Sequence, residues 1–213
     1  MPAPLDGITV IHNAFRRDMT EIDEAAYKVA KHGGDLSPVL DRLQFHSQIL
    51  MFHAEGEEDA VFPAIEKVAP LVAKAYAIDH DELDMMTDGL EKIRGAPDEL
   101  VAARATAGLW THLRIHLYKE DVHLYPILRQ RITEAEQAPI VGHMASKVPP
   151  EMMPKFVGWL MRLLEQHDRE TMTQVLMDLM PEEAFAGVKP LIRDSIVAES
   201  WAELTKRIPK LGQ

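Results

Sequence analysis

"FHAEGEEDAVFP", residues Phe52–Pro63, and "IHLYKEDVHLYP", residues Ile115–Pro126, follow one pattern. Each places a Glu four residues after a His, an aromatic nine after it and a Pro ten after it. Residues four apart on a helix share a face, one turn apart. His53 and Glu57 can therefore reach one metal centre from a single helix. His116 and Glu120 can do the same from another. A lone His-x-x-x-Glu is ordinarily a surface pair worth about 0.2–0.5 kcal/mol. Two copies with the same aromatic–Pro ending point instead to one metal-binding unit used twice.

The helix ahead of each copy carries a further His. "IHNAF" holds His12 and "DHDEL" holds His80, each with an apolar residue three positions on. The repeated unit is thus a helix with a His, then a helix with His-x-x-x-Glu. Brought together, the two units supply His12, His53, Glu57, His80, His116 and Glu120, with both carboxylates able to bridge a metal pair. Imidazole and carboxylate donors without sulfur suit Fe, Mn or Zn. A carboxylate-bridged iron pair can treat dioxygen as a two-electron reaction. The His must be neutral and the Glu ionised to bind, so affinity should fall in acid.

The rest of the chain reads as all-α, since strong helix formers dominate and no stretch alternates like a strand. A first helix begins near Asp6, carries Ile8, Ile11, Phe15, Met19 and Ile22 at helical spacing, and stops at Gly33–Gly34. A second starts at Ser37–Pro38, a Ser cap with Pro in the first turn, and runs to Pro63. A third spans about 70–94. After a turn at 95–97, Asp98 caps a fourth that ends near Arg131. Four long helices with short connections predict an up-down four-helix bundle. We place a boundary near residue 132. Beyond it, Thr133–Glu136 ("TEAE") fits a capping box. Pro139, Pro149, Pro150, Pro154, Pro181, Pro190 and Pro209 are expected to break residues 133–213 into shorter helices. This extension holds seven of the 12 Met. It reads either as a second subdomain or as a cover on the bundle.

Composition narrows the function. A net charge of −11 and a pI of about 5.3 argue against nucleic acid and anionic membranes as partners. There is no Cys, which excludes disulfides, thiolate metal sites and Cys nucleophiles. No secretory signal is visible in "MPAPLDG", and no apolar run reaches the ~18 residues of a membrane helix. The expected location is cytoplasmic.

With these motifs in view, the chain resembles the hemerythrin-like (HHE cation-binding) family over about residues 6–131. The resemblance implies a bundle around two irons, with ligands at His12, His53, Glu57, His80, His116 and a carboxylate at Glu120. Pro63 and Pro126 match the Pro that ends the ligand-bearing stretch. Two positions depart from the oxygen carriers of the family. A fifth His is replaced by Asp84, and the last carboxylate falls four residues after His116, at Glu120, where the carriers' spacing would select Asp121. Losing a His leaves the two irons more alike and more open, which leans from carriage towards redox chemistry on dioxygen or peroxide. The resemblance accommodates three readings: a di-iron protein that binds and reduces dioxygen; an oxidase fed by a reduced flavin- or deazaflavin-type cofactor, or a peroxide-decomposing enzyme; and an oxygen or iron sensor or interaction module. It leaves oligomeric state open, a homodimer included.

Several other residues admit a reading beside this set. Asp84 reads as an extra ligand or an acceptor for an imidazole N–H. His112 lies one turn before His116, but its counterpart in the first unit is Ile49. His46 reads as an ordinary buried or rim residue, and His123 as peripheral. Tyr76, one turn before His80, reads as a core residue or as a donor to bound peroxide. His143, His167, Arg169 and Arg193 read as solvated surface, with a cofactor pocket between the extension and the bundle as the alternative. Met152, Met153, Met161 and Met177 read as adaptable packing.

Overall fold

The computed structural model describes residues 1–95 and 98–212. The expected turn at 95–97 therefore lies partly outside the described residues. All regular structure among the described residues is helical. None of these helices is long and apolar enough to cross a membrane. Contacts divide the chain into two compact units, Met1–Ala14 with Ile132–Gln213, and Phe15–Arg131.

The second unit is an antiparallel bundle. It contains α1 (Asp6–His32) from Phe15 onward, α2 (Ser37–Gly56) with α3 (Phe62–Val68), α4 (Ala73–Gly95), and α5 (Glu99–Lys119) with α6 (Tyr125–Arg131). On α5 the buried residues Ala102, Thr106, Leu109, Leu113, His116 and Leu117 recur at steps of three and four. The motif residue His116 thus sits on the stripe that forms the core. Direct pairs fix the helix directions. Asp18 and Glu21 of α1 hold Arg42 of α2, while Phe15 lies against His53. Later residues of α1 therefore meet earlier residues of α2. Asp79 and Glu82 of α4 likewise meet His116 and His112 of α5 in reverse order.

Helix ends follow local chemistry. Gly33 takes the left-handed conformation (φ +74°) that ends α1, its N–H donating to the Val29 carbonyl. The Asp98 carboxylate accepts from the Val101 N–H at 2.8 Å and caps α5. The third long helix begins later than the sequence reading placed it, at Ala73 rather than Pro70. Leu71 is left-handed (φ +72°), so the chain turns here. The Glu66 carboxylate secures that turn by accepting from Leu71 N–H and Ala73 N–H.

Pro63 and Pro126 do not end their helices. In each copy of the motif the chain widens into a π turn, Glu57–Val61 and Glu120–Leu124, and then runs on as α3 or α6. The Phe62 N–H reaches back to the Glu57 carbonyl, and the Tyr125 N–H to the Glu120 carbonyl. A Pro within a regular helix clashes with the carbonyl four residues back. A wider turn relieves that clash, and π turns concentrate at functional sites. The extra residue also resets the buried face, so that Glu57, Val61, Phe62 and Ile65 all point inward.

The first unit contains α7 (Glu134–Ala145), α8 (Met153–Leu163), α9 (Gln166–Leu179), α10 (Glu182–Asp194) and α11 (Ala198–Arg207). Thr133 and Glu136 form the full capping box. Pro139 and Pro190 lie inside α7 and α10 rather than breaking them, each removing one ladder bond from a helix that continues. Gly7 packs so closely on Val175 that an added Cβ would lie 3.1 Å from it. Met144, Met161 and Met172 are buried, while Met152, Met153 and Met177 are half-buried.

Two substitutions separate the forces holding the bundle. Asp98→Ala should cost about 1 kcal/mol through the lost cap. Leu113→Ala, at a fully buried site, should cost about 2–5 kcal/mol through the cavity it leaves. Urea unfolding of the metal-free protein should show both as shifts in midpoint, the second much larger.

Candidate metal centre

The two π turns begin at the motif carboxylates, which places Glu57 and Glu120 inside the bundle. Both are fully buried, as are His53, His80 and His116 to within a few per cent. Glu57, His80, His116 and Glu120 each offer one ligand atom, all within 4.8 Å of one another. Glu57 lies between two imidazoles. Its Oε1 stands 3.4 Å from His53 Nε2, and its Oε2 stands 3.4 Å from His80 Nε2. Glu120 Oε1 stands at the same 3.4 Å from His116 Nε2. Charge-assisted hydrogen bonds close to ~2.7–2.9 Å. Donors each ~2.1 Å from one cation stand ~3.0–3.4 Å apart. Glu57 Oε2 and His80 Nε2 are moreover buried without a hydrogen-bond partner among the described residues. These side chains fit a shared cation better than they fit each other.

The outer nitrogens of two imidazoles are held by carboxylates. His80 Nδ1 pairs with Glu58 Oε1 at 2.8 Å, and His116 Nδ1 with Asp79 Oδ2 at 3.3 Å. This fixes Nε2 as the inward lone pair and strengthens it as a ligand. Burial alone would raise Asp79, but its bonds from Lys119 and His116 outweigh that and hold it below the usual carboxylate range. Burial would likewise lower His80, yet Glu57 and Glu58 raise it. The two central carboxylates diverge in the metal-free protein. Burial and the charge of Glu57 push Glu120 well above the usual range. Glu57 is held well below it, because the charges of and bonds from His53 and His80 overcome burial. A cation between them would reverse this logic and ionise both.

Aromatic rings pack around the imidazoles. Phe62 stacks on His80 with centroids 5.1 Å apart, and Phe15 meets His53 edge-on at 5.3 Å. Tyr125, fully buried, donates its hydroxyl to Glu57 Oε1. Burial, followed by the charge of Glu57, pushes that hydroxyl well above its ordinary pKa. A cavity of about 10 Å³, room for one water-sized molecule, adjoins the centre. Its floor is His53, Glu57, His80 and His116, and its walls are Leu50, Ala54, Leu83 and Asp84.

His12 aside, the remaining candidates fall outside this cluster. His12 is fully buried on α1, one turn ahead of Phe15 on the same unbroken helix. Asp84 is exposed at the cavity edge. Asp121 pairs with Arg16, leaving Glu120 as the inward acid of its motif. His112 faces Glu82 at 3.4 Å, and His123 is exposed. His46 is buried, with Nδ1 2.9 Å from Asp18. Tyr76 donates to the Lys119 carbonyl at 3.1 Å. Its hydroxyl is pushed up to about 12, by burial first. In the extension His143, His167 and Arg193 are exposed, while Arg169 ties the Met161 carbonyl to Ser200. Sequence reasoning passed over Asp79 and the hydroxyl of Tyr125. The second was visible as the one chemical difference between the aromatics of the two motif copies, Phe62 and Tyr125.

The sequence model of the family described as "Hemerythrin HHE cation binding domain" matches residues 3–128. The chain belongs to the hemerythrin HHE family. Its cluster of His and Glu is positioned to bind metal. Among curated proteins it is similar to zinc finger protein BRUTUS of Arabidopsis thaliana, 25% identical over 81% of this chain and 14% of that protein. A BRUTUS-like zinc finger protein of the same plant is 20% identical over 95% of this chain and 17% of its own length. The hemerythrin-type chain thus spans less than a fifth of these relatives. No solved structure matches it.

Removing an outer carboxylate should loosen the centre without touching its ligands. Glu58→Gln and Asp79→Asn should each weaken metal retention about 10–100-fold, measured by competition with a chelator. His112→Ala and His123→Ala should leave metal content unchanged.

Proposed function

We propose that this hemerythrin-type domain holds two irons and binds and reduces dioxygen. The supporting observation is Glu57, buried between His53 and His80 with one oxygen turned to each. A carboxylate placed so could bridge two cations. In this reading His53, His80, His116, Glu57 and Glu120 would hold the iron pair, with His12 as the further ligand that the motif repeat implies. The repeat of the motif and the family match across residues 3–128 support including His12. Mixed His and carboxylate donors favour iron over softer-site metals.

A bound iron pair would supply two electrons to dioxygen. The protein's own groups set the conditions. Glu58 and Asp79 hold the proton on the outer nitrogens of His80 and His116, keeping the inner lone pairs available. Tyr125 fixes the rotamer of Glu57 through its hydroxyl. Phe62 and Phe15 pack on His80 and His53, screening both from water. The cavity above His80 and His116 gives a small diatomic room beside the centre. Asp84, exposed at its rim, leaves that side open.

Elemental analysis should find about two irons per chain after anaerobic loading. Mixing the reduced protein with oxygenated buffer should consume dioxygen and change the visible absorbance. Tight zinc binding with no iron uptake, or unchanged metal content in His53→Ala, would defeat the reading. Metal retention should also fall as the pH is lowered into the acid range, because binding needs neutral His and ionised Glu and protons compete for both. Dialysis across a pH series would show it.

A further inference from the structure

We propose that Asp84 and the acids around it capture a divalent cation at the mouth of the cavity, the route by which metal reaches the buried centre. The inference rests on the metal-centre reading and adds the path of loading. Of the described residues that line the cavity, Asp84 alone is exposed. Ala54 is half-buried and the others are buried. The mouth is therefore the gap between Ala54 on α2 and Asp84 on α4, where the smallest side chain on one side leaves room for a carboxylate on the other.

Asp84 does not stand alone. Asp81, Asp84 and Asp88 are spaced three and four apart on α4 and share an exposed face. Glu58, half-exposed on the first π turn, adds its charge from across the gap, and all three neighbours act on Asp84 as like charges. Such a face is common on an acidic protein and by itself marks nothing. The interior of the cavity is what gives it direction. On the cavity floor, His80 Nε2 and Glu57 Oε2 are buried without hydrogen-bond partners among the described residues. A cation drawn to the rim thus has an imidazole lone pair and a carboxylate oxygen ahead of it. Converging like charges at a low-dielectric cleft raise local cation concentration and speed association by about 10–10³-fold, an effect that salt screens. Asp84 acts in this scheme on the rate of loading, not on the final complement of ligands.

The test follows Co²⁺ uptake by the full-length metal-free protein, read from the visible absorbance of bound cobalt in stopped flow at several salt concentrations. Asp84→Asn should slow uptake severalfold and Asp84→Lys about tenfold or more, both reaching the wild-type amount of bound cobalt. The salt dependence should flatten in both. Glu183→Lys, exposed on α10, makes the same change in net charge as Asp84→Lys and should load at the wild-type rate. Equal rates in Asp84→Lys and Glu183→Lys would overturn the proposal, since only net charge would then matter. A lower final amount of cobalt in Asp84→Asn would also overturn it, by making Asp84 a ligand. Wild-type protein that takes up no cobalt or iron would overturn the underlying metal-centre reading as well, an outcome distinct from the other two.

Discussion

Two carboxylates buried in the middle of a helix bundle are the constraint on which the rest depends. Each ion taken out of water costs several kcal/mol even after relaxation. Glu57 and Glu120 lie close enough that the metal-free protein answers by holding one ionised and pushing the other towards its neutral form. The surrounding structure serves to make that arrangement tolerable. Imidazoles face the acids, Glu58 and Asp79 hold two of the imidazoles, Lys119 in turn holds Asp79, and Arg16 pairs with Asp121 beside Glu120. Such a stack of alternating charge stabilises the core fully only with a cation at its centre.

Helix geometry delivers these groups, and two distortions refine it. In a regular helix, the residues following Glu57 and Glu120 would rotate steadily off the core face and meet a Pro at a carbonyl. The π turns solve both problems together. They let Phe62 and Tyr125 stay inward while Pro63 and Pro126 are accommodated. The buried His and Glu side chains therefore rest on continuous rods rather than on loops, which holds them against the pull of their own charge.

Much of this was legible in residues. The His-x-x-x-Glu repeat, the caps at Asp98 and Thr133 and the stop at Gly33 each have a local cause, and the structure shows the corresponding element. Proline was misread for a physical reason. Its clash is with a backbone carbonyl, and a widened turn removes the clash without leaving a mark in composition. The start of α4 was misplaced because Pro70 and Leu71 look compatible with a helix, while the Glu66 carboxylate that ties the turn comes from the preceding element. Asp79 was missed because its partner, His116, lies on a neighbouring helix. Only tertiary packing brings the two together.

The aromatic at the end of each motif copy is Phe62 in one and Tyr125 in the other, so the two differ there by a single oxygen atom. That atom crosses to the opposite half and binds one oxygen of Glu57, the one nearer His53. The oxygen nearer His80 carries no such donor. As the bridge proposed above, Glu57 would present a weaker donor on one side and a stronger one on the other. A duplicated sequence has produced a polarised centre, in which the two occupants of the cradle would not be interchangeable.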